Sequence, residues 1–133
     1  MIGIDTNVLV RLIADDDLAQ SSAANLLRQD NQLFVSLTVV MESEWVLRSA
    51  YRWSRRRIAD ALAILTSLEN LDFELVEWVE WAIARYLEGA DFADMIHIVA
   101  NRENARLATF DKRLSKQAGT NSPTELLLLK YRE

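Results

Sequence analysis

The stretch Met1-Ile2-Gly3-Ile4-Asp5-Thr6-Asn7-Val8 decides how this chain is read. A short apolar run ends in Asp-Thr-Asn, where the pattern turns from strand to helix. The run predicts a buried parallel strand, and open α/β sheets place their chemistry at the C-terminal ends of such strands. Asp5 therefore has two readings: a carboxylate delivered to a site, or a cap on the helix that begins near Asn7.

Working outward, the same alternation continues. Val8, Leu9, Leu12 and Ile13 recur at helical spacing until Asp15-Asp16-Asp17 interrupts them. Consecutive acids in a turn point in different directions, so Asp17 is expected to cap a second helix carried by Leu18, Ala23, Ala24, Leu26 and Leu27. Residues 33–36 form a compact second strand, and a helix over 37–51 follows with apolar residues almost all round. Glu42 has Thr38, Val39, Trp45 and Val46 as its helical neighbours, so its carboxylate is expected against an apolar wall, where charge is costly without a partner. Glu44 has Arg48 four residues on and reads as a surface ion pair.

Ser54 is expected to cap a helix whose stripe is Ile58, Ala61, Leu62 and Leu65. Residues 71–76 alternate as a third strand, and Val79, Ile83 and Leu87 suit a helix ending at Gly89. Trp78 and Trp81 read as core or dimer-surface residues. In Gly89-Ala90-Asp91-Phe92-Ala93-Asp94-Met95-Ile96-His97, the residues Phe92, Met95, Ile96 and Val99 form a buried stripe. Asp91 and Asp94 stand three apart at its start, as caps or as part of a site; His97 is given no chemistry. A last clear strand, 107–109, delivers Asp111 just past its end. Ser122-Pro123-Thr124-Glu125 has the signature of a helix start, although a terminal strand also suits the four leucines that follow.

Composition narrows the chemistry. The 133 residues suffice for one domain with a substantial core. There is no cysteine and a single histidine, which removes disulfide frameworks and thiolate zinc sites and disfavours a Ser-His-Asp triad. Catalysis would rest on carboxylates, hydroxyls, amides and water. No basic leader or membrane-length apolar run appears, so a soluble, cytoplasmic protein is expected. The formal charge of −5 opposes simple electrostatic binding of nucleic acid, unless acids gathered on divalent cations turn a repulsive patch into an attractive one. Arg48, Arg52, Arg55, Arg56 and Arg57 read mainly as a solvated helix start.

Strands alternating with single or paired helices imply a parallel sheet with helices on both faces. Asp5 and Asp111 fall directly at the strand ends, and Glu42 and Asp94 lie on helices that can turn towards them. Four such carboxylates would repel and take up protons unless a cation held them. Oxygen-only ligands favour Mg²⁺ or Mn²⁺ over zinc.

These motifs in this order, Asp5-Thr6-Asn7-Val8, Glu42 within 39–47, Asp91-Phe92-Ala93-Asp94 and Thr109-Phe110-Asp111-Lys112, resemble the PIN-domain ribonucleases, and within them the VapC-type toxins of toxin-antitoxin pairs. The resemblance covers nearly the whole chain. It implies a single PIN domain over 1–133, with a three-layer α/β/α sandwich around a central, mainly parallel sheet of four to five strands. It implies that Asp5, Glu42, Asp94 and Asp111 bind Mg²⁺ or Mn²⁺, that Asp91 is an accessory acid, and that Thr6, Asn7 and Thr109 support the first acid or the attacking water. It further implies endonucleolytic cleavage of RNA, homodimerisation, inhibition by a cognate antitoxin and a higher hetero-oligomer with it. The chain departs from the family pattern after Ala118, where a short strand is usual. A haloacid-dehalogenase-like phosphatase also carries an aspartate after its first strand, but its second acid would fall at Asn7. A non-catalytic PIN-like binding module is the remaining alternative.

Overall fold

Helix starts follow from side-chain oxygens in the sequence. In the computed structural model, which describes residues 1–131, Asp5, Asp17, Ser36, Ser54 and Asp91 each accept a hydrogen bond from a backbone N–H of the first turn that follows, satisfying donors that a helix leaves unpaired. Among the described residues there are seven helices and five strands, in the order β1 (Ile2–Gly3), α1 (Thr6–Ile13), α2 (Leu18–Asp30), β2 (Leu33–Val35), α3 (Leu37–Ser49), α4 (Arg55–Thr66), β3 (Leu71–Phe73), α5 (Val76–Leu87), α6 (Phe92–Ala100), β4 (Arg106–Thr109), α7 (Leu114–Ala118) and β5 (Glu125–Leu128).

The fold is α/β with parallel strands, as expected. β1, β2 and β3 pair in that order, with Ile2 opposite Leu33 and Leu33 opposite Leu71. β4 pairs with β5, Arg106 opposite Glu125. Five strands were within the expected number, but among the described residues they form ladders of three and two instead of one sheet. β1 is also not the buried strand that its apolar run predicts: Ile2 and Gly3 are exposed, and only Ile4 just beyond it is buried. With two residues and a partner on one side only, β1 makes too short a ladder to draw a further strand over its free edge.

The final element corrects the helix expected from Ser122. Residues 125–128 form a strand, because Thr124 is buried and its hydroxyl donates to the Ile98 carbonyl at 2.9 Å. Ser122 donates to the Thr124 carbonyl at 2.7 Å. These bonds turn the chain alongside β4 before a helical turn can close.

The core is shared between layers. Leu33, Val35, Val40, Leu47, Ile58, Leu62, Val79, Tyr86, Phe92, Met95 and Ile98 are all essentially inaccessible. They tie β2 to α3, α4, α5 and α6 in a single apolar cluster, the main stabilising contribution at about 1.5–3 kcal/mol per large side chain. α2 is the exception. Its buried residues are Ser21 and Ala24, whereas Leu18 and Leu26 are exposed, contrary to the stripe read from the sequence. Among the described residues, no helix is long and apolar enough to cross a membrane.

Candidate metal-binding acids at the strand ends

Parallel pairing sends the ends of β1, β2 and β3 to one side of their ladder, and each end leads into a helix start. Asp5 follows β1 and is the cap of α1: its backbone is extended (φ −91°, ψ 178°) and Oδ1 accepts from the Val8 N–H at 3.1 Å. The cap is therefore Asp5 itself. Thr6 has another task, since its hydroxyl donates to Oε1 of Glu42. Glu74, past β3, accepts from the Leu37 N–H at 2.8 Å and so fixes the start of the helix that carries Glu42.

Glu42 and Glu44 exchange the environments that the sequence suggests. Glu42 is exposed. Glu44 is the buried one, at 4% exposure, and accepts from Arg48 Nε at 2.8 Å and from the Tyr86 hydroxyl at 2.9 Å. Helical neighbours alone did not reveal this, because the buried side of α3 is set by its packing with α1, α4 and α6 and by the Tyr86 hydroxyl that reaches it from α5. Burial and the hydrogen bond to Glu44 push the Tyr86 phenol well above its ordinary pKa.

A cleft of about 620 Å³ is lined by Asp5, Thr6, Asn7, Arg11, Thr38 and Glu42, with Val10, Val39, Met41 and Val46. Asn7 turns from the acids towards its own helix and α2. Its Nδ2 donates to Gln20 and its Oδ1 accepts from Arg11 Nε, both at 3.4 Å. Arg11, which the sequence reading passed over, is held by Asp16 and by the Tyr51 hydroxyl, the latter at 2.8 Å. Tyr51 in turn donates to Asp16 at 2.8 Å. The hydrogen bond from Tyr51 lowers the Asp16 carboxyl below its ordinary value, and Arg11 adds to the effect. The spacing of Asn7, Arg11 and Asp16 held a partial signal; Tyr51 lay too far along the chain to be found by spacing.

The other acids lie at α6 and after β4. Asp91 caps α6, accepting from the Asp94 N–H at 2.9 Å. Burial raises the Asp94 carboxyl above its ordinary value; the negative charges of Asp91 and then Asp111 raise it further, while His97 opposes them. Asp111 sits in a side-chain-braced turn: its N–H donates to Thr109 Oγ1 at 3.0 Å, and its Oδ1 accepts from the Arg113 N–H at 2.9 Å. Thr109 thus holds the turn of Asp111.

The acids form two sets, Asp5 with Glu42 around Thr6, and Asp94 within electrostatic reach of Asp91 and Asp111. A smaller hollow that takes in both Glu42 and Asp91 lies between α3 and α6. Among the described residues no three such side chains close on one point as a ready-made metal cage, nor does any ion pair engage these five acids. The donor chemistry, carboxylate oxygens outside any ion pair among the described residues, suits a hard divalent cation.

The arginine cluster is occupied elsewhere. Arg55 donates to the Tyr86 and Ala90 carbonyls and lies over the Tyr86 ring, Arg57 covers Trp53, and Arg56 pairs with Asp60. Trp78 and Trp81 are half-buried and meet edge to face, consistent with packing residues.

No curated protein matches the chain. The sequence model of the PIN domain matches residues 2–119, and the chain belongs to the PIN domain family.

Proposed function

We propose that this chain is a metal-dependent endoribonuclease of the VapC type, the toxin of a type II toxin-antitoxin pair, formed by a single domain over residues 1–133. Family membership supports a nuclease-type fold, and PIN domains are typically metal-dependent nucleases. The observation that supports the reading is geometric: Asp5, Thr6 and Glu42 line one cleft at the end of β1, with the Thr6 hydroxyl on Glu42, and none of the five candidate acids is in an ion pair among the described residues.

In this reading Asp5, Glu42, Asp94 and Asp111 hold Mg²⁺ or Mn²⁺. Bound there, the cation supplies charge neutralisation at the scissile phosphate and activates water for attack on phosphorus. The protein's own groups prepare the site. Thr6 orients Glu42 through its hydroxyl. Asp5 holds α1 through Oδ1 and keeps a second oxygen for the site. Asp91 fixes the first turn of α6, which carries Asp94. Thr109 braces the turn of Asp111. Asn7 supports the cleft through Arg11.

RNA is the substrate and a cognate antitoxin the inhibitor, bound to a homodimer and to a larger assembly of both chains. A basic antitoxin segment suits the cleft, whose acids have no ion-pair partner among the described residues. The test is cleavage of RNA by antitoxin-free protein with Mg²⁺ or Mn²⁺, its loss with chelator, and co-purification of the protein encoded by a small neighbouring reading frame.

A further inference from the structure

We propose that Arg11 and Tyr51 are positioning residues of the acidic cleft: their hydrogen bond, closed into a ring by Asp16, fixes the spacing of α1 and α3 so that Asp5 and Glu42 face one cation. The inference rests on the metal-dependent reading above and adds what holds the two acids in place.

The cleft has two walls. Every residue lining its volume of about 620 Å³ belongs either to α1 with its cap or to α3. Asp5 stands at the start of one wall and Glu42 midway along the other. The apolar core grips the inner faces of both helices through Leu9, Val40 and Leu47. On the cleft side the gap between the helices is unfilled, so the spacing there depends on polar contacts that cross it. Among the described residues two side-chain hydrogen bonds do so. Thr6, the first residue of α1, donates to Glu42, and Arg11, in the last turn of α1, donates to Tyr51 just past the end of α3.

The second tie is a closed ring. Arg11 Nη2 donates to the Tyr51 hydroxyl at 2.8 Å, that hydroxyl donates to Asp16 Oδ2 at 2.8 Å, and Asp16 accepts Arg11 Nη1 through its other oxygen. Nε donates to Asn7 Oδ1 at 3.4 Å. Every nitrogen of the guanidinium therefore has a partner, and the side chain is only 14% exposed. Arg11 lines the cleft, but its fork is spent on its neighbours and serves geometry instead of a phosphate.

Tyr51 is itself fixed to the end of α3. Its N–H donates to the Val46 carbonyl at 3.3 Å, and its ring meets Trp53 edge to face at 6.2 Å. The ring thus joins the last turn of α1, the turn between α1 and α2, and the turn after α3. A planar guanidinium is preorganised for such a task, since its donors are fixed relative to one another. Carboxylates that share a cation need their supporting groups locked in the same way.

The experiment compares the full chain with Tyr51→Phe and with Arg11→Lys. Both variants keep the parental charge near neutral pH, so a change in cation binding does not come from altered long-range attraction. Phe keeps the ring against Trp53, and Lys lacks the fork that serves three acceptors. Electron paramagnetic resonance counts free Mn²⁺ and gives its Kd, at a temperature where circular dichroism shows each protein folded. Both variants are expected to raise the Mn²⁺ Kd by about tenfold, the lower end of what groups that orient ligands contribute. Saturating Mn²⁺ is expected to restore most of their kcat, with KM for RNA near that of the wild type. An unchanged Mn²⁺ Kd in folded Tyr51→Phe overturns the proposal whatever its Tm, because the ring then only stabilises the fold. A raised KM for RNA with unchanged Mn²⁺ Kd also overturns it and makes Arg11 a substrate contact. Where Arg11→Lys does not fold, Tyr51→Phe, which loses a single oxygen, decides; failure of both to fold overturns the proposal. The nuclease reading fails separately. Wild type whose Mn²⁺ binding depends on Tyr51 but which cleaves no RNA keeps the positioning role and loses the nuclease; RNA cleavage with a Tyr51-independent Mn²⁺ Kd does the reverse, and wild type that binds no Mn²⁺ loses both.

Discussion

At the scale of single residues, Asp5 joins two roles that a substitution can separate. Asn caps a helix about as well as Asp, so Asp5→Asn should leave thermal stability nearly unchanged while removing the charge that the proposed metal needs. Glu42 and Glu44, two positions apart, should respond in opposite ways. Glu42→Gln is expected to lower cleavage by about 100-fold or more, beyond the ~10–100-fold typical of groups that only orient ligands, with little effect on urea unfolding because Glu42 is exposed. Glu44→Ala should cost about 2 kcal/mol by the same unfolding measurement, since it leaves the buried Tyr86 hydroxyl without its acceptor. Asp16 provides a pH test. Its folded pKa is depressed by Tyr51 and Arg11, so its contribution is present above the ordinary carboxylate pKa of 3.8 and lost as pH falls through the lower folded value. The stability gap between wild type and Asp16→Asn is therefore expected to be open at pH 7 and to close in strong acid.

At the scale of elements, the parts set by local chemistry were legible and those set by packing were not. Capping residues at positions 17, 54 and 91 put helix starts where they occur, because the cap bonds are made within three residues, whereas Ser36, read as the end of the second strand, caps α3 instead. The alternation in β3 also survives, with Leu71 and Phe73 buried about an exposed Asp72. The environments of Glu42 and Glu44 could not be read, because the face of α3 that is buried depends on Tyr86, 42 residues away from Glu44. The end of the chain failed for a similar reason: the local Ser-Pro-Thr-Glu signature is overruled by the bond from Thr124 to Ile98, across 26 residues. That bond is testable. Thr124→Val should destabilise the protein by about 1 kcal/mol, and hydrogen exchange should be faster in β5 than in wild type, where the strand is paired in register with β4.

At the scale of the whole molecule, the sequence places two of the candidate acids by the order of elements and leaves their spacing open. Asp5 and Asp111 are placed near strand ends by the alternation of elements, and the electrostatic coupling of Asp94 to Asp91 and Asp111 agrees with a common neighbourhood. The arrangement of the strands into ladders of three and two is not announced by strands of two to four residues. A cation that binds the folded form alone raises its stability by mass action, about 2.7 kcal/mol at one hundred times Kd. Mn²⁺ is accordingly expected to raise the Tm of the wild type by several degrees, and of Asp94→Asn by much less, in a thermal-unfolding titration. The most direct measurement of the central claim is RNA cleavage by purified, antitoxin-free protein with Mg²⁺ or Mn²⁺, run beside folded Asp5→Asn protein and a chelator control. The account predicts cleavage by the wild type that chelator abolishes and Asp5→Asn lacks; cleavage that persists both in chelator and in Asp5→Asn would contradict it.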